Sequence, residues 1–136
     1  MPWTVHFHPD FEPEFEALPE PVQEELLSRL RTLGEFGPSL GRPTVDTLKA
    51  TKHKNMKELR FTADGIWRFA FAFDPLRQGI VLCGGDKEGV DERLFYERLI
   101  ARADRRYDEH LLTIEPPVDA ESEKSSNKRS RKSKRK

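Results

Sequence analysis

Between positions 49 and 68 stand six Lys/Arg residues (Lys49, Lys52, Lys54, Lys57, Arg60 and Arg68) against two acids, with His53 among them and Lys87 further along the chain. Such a set suits phosphate, because a guanidinium is planar, permanently charged and able to donate two parallel hydrogen bonds. For the lysines and His53 the competing reading is a solvated loop, the ordinary fate of a surface charge run. Arg68 differs from them, since its strand-face neighbours Ile66, Ala70 and Ala72 are apolar. It therefore needs a partner, Glu58, Asp74 or Asp86, or else an open cleft. If Arg60 lies on the neighbouring strand in matching register, the two arginines face the same way, with Ala70 and Ala72 as a shallow floor between them. Tyr96 falls just beyond the Lys87 loop, and a phenol among several cations is expected to have its anionic form favoured, which would let it take a proton from a ribose hydroxyl. Packing within the stripe Tyr96, Ile100, Ala103, Tyr107 is the alternative. His6, His8 and His110 show no partner pattern, and Cys83 sits in the apolar run Gly79–Cys83, where a thiol behaves as a small hydrophobe.

The elements that must position these groups follow from periodicity. Trp3, Val5 and Phe7 alternate as a first strand, and Asp10 is placed to cap a short helix carrying Phe11, Phe15 and Leu18. A second helix follows Pro21, with Val22, Leu26, Leu27, Leu30 and Leu33 as its apolar stripe and Gly34, Gly37 and Pro38 as its stop. After a loop with a short strand near Val45–Leu48, the segments 57–61 and 66–73 form a β-hairpin around Ala63-Asp64-Gly65. Trp67, Phe69, Phe71 and Phe73 share one face of its second strand. The run Gly79–Cys83 reads as a strand covered on both sides, and an amphipathic helix spans about Asp91 to Leu112. The order β-α-α-β-β-β-α predicts an α+β domain, helices packed on a small, mostly antiparallel sheet.

Charge and composition narrow the functions available. The chain's 136 residues carry 24 Lys/Arg and 24 Asp/Glu, but residues 122–136 alone hold eight Lys/Arg and one acid. The neutral total thus hides an acidic body, a basic patch within it and a basic end. A domain over residues 1–115 and a disordered basic tail over 116–136 are expected, since only Val118 and Ala120 are apolar in the latter. No apolar run approaches the ~18 residues of a membrane span, so a soluble, cytoplasmic protein is expected. A single cysteine rules out an internal disulfide, and four scattered histidines argue against a zinc site. No cofactor is indicated: Gly84-Gly85-Asp86-Lys87 is too short for a phosphate-cradling loop and lacks the following Ser or Thr.

Several of these segments occur together in a known pattern. Lys54 to Phe61 (KNMKELRF), Gly65 to Asp74 (GIWRFAFAFD), Gly84 to Lys87 and the Phe95-Tyr96-Glu97 start of the last helix, on the element order above, resemble the RelE/ParE toxin superfamily and within it the HigB-like, phage-derived branch. The resemblance covers about residues 3–112. It implies the toxin of a type II toxin–antitoxin pair, a ribosome-dependent endoribonuclease that cuts mRNA without a metal by attack of a ribose 2′-oxygen on the adjacent phosphate. Arg60 and Arg68 match the strand arginines that hold the scissile phosphate, Lys87 the basic residue after the last strand, and Tyr96 the tyrosine near the start of the C-terminal helix. Lys52, His53, Lys54 and Lys57 fall where RNA-binding residues are expected. Many HigB-like toxins place His and Asp near their C-terminal catalytic segment, whereas this chain offers Tyr96, Glu97, Asp104, Tyr107 and His110, so the resemblance leaves the general base unassigned. Its implied partners are mRNA, the ribosome and a cognate helix-turn-helix antitoxin, with no membrane. The readings that compete are a ParE-like inhibitor of DNA gyrase without nuclease activity and an inactive RNA- or ribosome-binding module.

Overall fold

The computed structural model describes residues 3–114, so the basic tail expected over 116–136 lies outside the described residues. Strand β1 (Thr4–Phe7) leads through helices α1 (Phe11–Glu16) and α2 (Glu20–Phe36) and a short 3-10 turn (Gly37–Ser39) to β2 (Val45–Thr47), β3 (Met56–Thr62), β4 (Ile66–Phe73) and β5 (Gln78–Asp86), and helix α3 (Glu92–Ile114) closes the domain. The five strands lie in the order β1-β5-β4-β3-β2, with β1 parallel to β5 and the other pairs antiparallel. This is the α+β architecture expected from the sequence.

Alternation along β4 sorts the core into two layers. Trp67, Phe69 and Phe71 face α1 and α2 and pack with Phe11, Val22, Leu26, Leu30 and Leu33. Ala70 and Ala72 face the other way, beneath Leu99, Ala103 and Tyr107 of α3. Large rings hold the two-helix layer at a distance, and two alanines let a single long helix come close. The shallow floor expected at Ala70 and Ala72 is therefore filled, because both are fully buried under α3. On α2 the apolar stripe is narrower than expected: Leu26 and Leu30 are buried, but Leu27 is 41% exposed.

One irregularity aims the end of the sheet. Ala70 pairs with Cys83 and Phe71 with Val81, leaving Leu82 as an extra residue on β5. Leu82 and Cys83 consequently both join the α3 layer while Val81 packs on the other side. Beyond the bulge, an added Cβ at Gly84 would lie 2.1 Å from the Phe69 ring, so a bare backbone is required there. In the β3–β4 turn, Asp64 (φ 49°) and Gly65 (φ 139°) take the positive dihedrals expected of Ala63-Asp64-Gly65.

The start of α1 departs from expectation. Asp10 makes no side-chain cap, and its backbone is already helical (φ −73°, ψ −19°) instead of in the extended region that lets a cap residue reach back. Its N–H instead donates to Nδ1 of the buried His8 ring.

Candidate active site

The β3–β4 hairpin brings two arginines face to face. Arg60 and Arg68 are direct partners in the antiparallel register, on the sheet face that carries α3. Arg68 is 9% exposed, and of the three acids that could have served it, Glu58 is the one used. The link is indirect: Arg68 Nε donates to the Tyr96 hydroxyl (3.2 Å), which in turn donates to Glu58 Oε1 (2.8 Å), while Nε and Oε1 lie 3.9 Å apart. Arg68 NH1 also donates to the Trp67 carbonyl at 2.9 Å. Asp86 and Asp74 are committed elsewhere, to the backbone N–H of Ile66 and to those of Leu76 and Gln78.

Arg60 is held more loosely. Its NH1 lies 3.4 Å from Asp46 Oδ2, on an acid that also pairs with Arg42 at 3.0 Å. Its Nε is buried without a partner among the described residues, so one donor of the fork is uncommitted. Two adjacent guanidinium groups would repel each other if Glu58 and Asp46 did not flank them. Lys87 completes this corner. Its N–H donates to the Ile66 carbonyl, its ammonium reaches Glu92 at 3.1 Å, and that ammonium lies 5.8 Å from the centre of the Tyr96 ring.

The expected phenolate at Tyr96 is not favoured in this setting. Burial, followed by the hydrogen bond and charge of Glu58, pushes the Tyr96 hydroxyl up to about 12, and the bond and charge of Arg68 offset this only in part. The reason lies in what the oxygen touches: its proton points at a carboxylate. At neutral pH Tyr96 is a neutral phenol with its donor committed.

The remaining cations do not gather at this corner. Lys52 and His53 both reach Asp108 on α3, His53 through Nε2 at 2.9 Å, and Thr51 and the Lys52 backbone hold Asp104. Asp108 follows Tyr96 by twelve residues on the same helix, which places these contacts about 18 Å further along its axis at ~1.5 Å per residue. Lys57 shares the parity of Leu59 and Phe61, which pack against the α1/α2 side, so its side chain leaves the sheet on the face opposite Arg60 and Arg68. Lys54 is exposed, with no ion pair among the described residues. The single basic cleft expected across residues 49–68 is thus divided by the strand pleat and by the acids of α3.

Other residues that hold these groups and helices in place were only partly legible in the sequence. Glu58 lies two positions before Arg60, and period-two alternation alone puts both on one face. Nothing in the sequence spacing announces Arg106, which reaches from α3 to Glu14 on α1 with a two-pronged contact (3.0 and 2.6 Å) and to the Leu82 carbonyl at the bulge (2.8 Å). His8 and His110, given no role from sequence, pair with Glu109 and Asp74 and so dock the C-terminal half of α3.

Two further features bear on cofactors. His8, Asp10 and Glu109 lie close enough together to surround a metal ion. Yet His8 Nδ1 accepts the Asp10 N–H, which puts the proton of the neutral ring on Nε2, facing Glu109, and leaves no lone pair for a metal. Burial also holds the His8 ring below the usual histidine range. Cys83 is buried, with its thiol pushed up to about 12 by desolvation, as befits a packing residue and not a nucleophile. A larger hollow of about 780 Å³ lies between β1 and α2, lined by Trp3, Val5, Phe7 and Leu27 among others, and presents no paired cations for a phosphate.

Comparison with known proteins bears on these features together. Residues 13–108 match the family model described as phage-derived protein Gp49-like. Two proteins of Mycobacterium tuberculosis that carry the toxin names HigB2 and HigB3 are each 42% identical to the chain, over 73% and 77% of it respectively. The matched region spans 50% of HigB2 and 90% of HigB3. A mutant form of the Escherichia coli toxin RelE in its free state superposes with a TM-score of 0.57 at 15% identity, over 78% of this chain and 98% of that one. At that identity the likeness is one of fold. Among the described residues no helix is long and apolar enough to cross a membrane.

Proposed function

The chain belongs to the Gp49-like, phage-derived family, and on that premise we propose that it is a HigB-type toxin related to RelE, acting as a ribosome-dependent endoribonuclease on mRNA. The observation that carries the reading is the cross-strand pairing of Arg60 with Arg68, the latter bonded to Tyr96, with Lys87 over the same ring.

Attack of a ribose 2′-oxygen on the adjacent phosphate passes through a five-coordinate phosphorus with an extra negative charge on its equatorial oxygens. Fixed cations at that position stabilise the transition state more than the ground state. Arg60 and Arg68 supply such a pair, and the part-exposed Arg60 guanidinium, held loosely to Asp46 at 3.4 Å, can turn toward a phosphate oxygen. Removal of the 2′ proton falls to Tyr96, and protonation of the departing 5′-oxygen falls to Lys87, whose ammonium pairs with the exposed Glu92 and lies over the Tyr96 ring. Lys52, His53, Lys54 and Lys57, spread over two other surfaces, serve as more distant contacts for the message or ribosomal RNA, where phosphate attraction needs no precise geometry.

The proposed partner besides the ribosome is a cognate antitoxin, of helix-turn-helix type. The test is induction in bacteria followed by mapping of transcript ends. New ends at codons translated under induction are expected; intact messages in growth-arrested cells would overturn the nuclease reading, and inhibition of supercoiling by purified gyrase in that case would point to the ParE-like alternative.

A further inference from the structure

The Tyr96 hydroxyl has one proton and two lone pairs. Its proton is given to Glu58 at 2.8 Å, and one lone pair receives Arg68 Nε at 3.2 Å. Only one lone pair remains, so toward a substrate Tyr96 can do nothing but accept. To take a substrate proton fully it must pass its own to the group it already faces. Glu58 is 7% exposed and sits behind Tyr96, so it meets solvent and substrate mainly through that hydroxyl. A carboxylate buried beside an arginine, but joined to it through a phenol placed between the two, is not arranged as a simple ion pair.

We infer that Glu58 is the terminal proton acceptor of the cleavage site, acting as a positioning residue through Tyr96; the inference rests on the nuclease reading given above. As the 2′-oxygen bonds to phosphorus, its proton moves to the Tyr96 oxygen and the Tyr96 proton moves to Glu58 Oε1. The bond from phosphorus to the 5′-oxygen then breaks, and that oxygen takes a proton from Lys87 Nζ. The products are a 2′,3′-cyclic phosphate and a 5′-hydroxyl, with Glu58 protonated and Lys87 neutral until both exchange with water. Arg68 steadies the partial charge on the phenol oxygen during the transfer, from a distance it already holds. Tyr96 alone, with a hydroxyl that ionises with difficulty, is a poor base, and the relay removes the need for a free phenolate.

The experiment is single-turnover cleavage of mRNA on programmed ribosomes at neutral pH, with the full-length chain and its variants. Glu58→Gln keeps the shape and can still accept the Tyr96 hydrogen bond, but cannot hold a second proton. It is expected to cleave on the order of 10²-fold more slowly. Tyr96→Phe is expected to lose a similar factor, and the double variant little more than either single one, because both remove one relay. Glu58→Asp, which keeps a carboxylate, is expected to recover part of that loss, and it carries the test if circular dichroism shows Glu58→Gln to be unfolded. Unimpaired cleavage by Glu58→Gln, a loss in Glu58→Asp as deep as that in Tyr96→Phe, or multiplying losses in the double variant would each overturn the role of Glu58 alone. Absence of cleavage by the unaltered chain would overturn the nuclease reading and this one with it.

Discussion

Arg60 on β3 and Arg68 on β4 are direct cross-strand partners, yet they are unlike in what holds them. Arg68 is nearly enclosed, bonded to Tyr96 and the Trp67 carbonyl, whereas the Arg60 side chain is 32% exposed and shares Asp46 with Arg42. The inner arginine is preorganised and the outer one is free to close on a ligand. Removing either therefore has different consequences.

Arg68→Ala is expected to lower cleavage on ribosomes by about 10²–10³-fold, the usual loss for a preorganised transition-state donor. Arg68→Lys should recover little of it, since an ammonium cannot span Tyr96 and the Trp67 carbonyl together. Arg60→Ala should cost less and leave the melting temperature nearly unchanged. Cleavage rates alongside thermal unfolding of each variant check the order, and an Arg68→Ala protein that is folded and fully active would remove Arg68 from the site.

Tyr96 titration reports on its neighbours. With the folded hydroxyl pushed up to about 12 from an ordinary value of 10.0, the folded state favours the neutral phenol. The stability this provides is complete below the unfolded value near 10 and is lost as pH rises toward 12. Ultraviolet difference titration should show phenolate absorbance appearing late in the unaltered chain. In Glu58→Gln, where the raising influence of the carboxylate charge has been removed, one tyrosine should ionise earlier; an unshifted curve would contradict the placing of that charge beside the hydroxyl.

The clamp between Arg106 and Glu14 should make the fold acid-labile. Hydrogen bonding to Arg106 holds the Glu14 carboxyl below its ordinary 4.5, so this contribution is present above that value and fades as pH falls through the lower folded one. Arg106 is 6% exposed, and Glu14→Ala would leave its charge buried with only the Leu82 carbonyl. A loss of about 1–3 kcal/mol in urea unfolding at neutral pH is expected, shrinking in acid, because the unaltered chain has then lost the same contact. A difference that persists undiminished at low pH would refute the linkage.

Gly84→Ala tests the close approach of β5 to β4. With the Phe69 ring 2.1 Å from the position of the new Cβ, the ring must leave its stacked place between Phe61 and Trp67. Overpacking of this kind costs about 1–3 kcal/mol. Denaturant unfolding measures it, and a neutral effect would show that the aromatic layer can shift freely.

Much of this domain was written in local pattern. Alternation in Ile66 to Phe73 separated an aromatic face from a small-residue face, and the two faces became the two core layers. The hairpin turn followed from Gly65, and the shared face of Arg60 and Arg68 followed from period two once the register was as assumed. These properties depend on neighbours a few residues away, which is why a one-dimensional reading can reach them.

What only the tertiary structure decided depends on groups far apart in the chain. Tyr96 became a neutral donor and not a phenolate because Glu58, 38 positions earlier, receives its proton, and a charge count around residue 96 could not anticipate the direction of that hydrogen bond. Lys52 and His53 were drawn to Asp108 on α3, and Lys57 was turned to the other face by the same alternation that aligned the arginines. Sequence determined which residue types were available to meet a phosphate and the strands that would carry them. Packing of α3 across the small face of the sheet determined which of them meet, since the direction of a hydrogen bond and the burial of a charge belong to the assembled surface and not to any one segment of it.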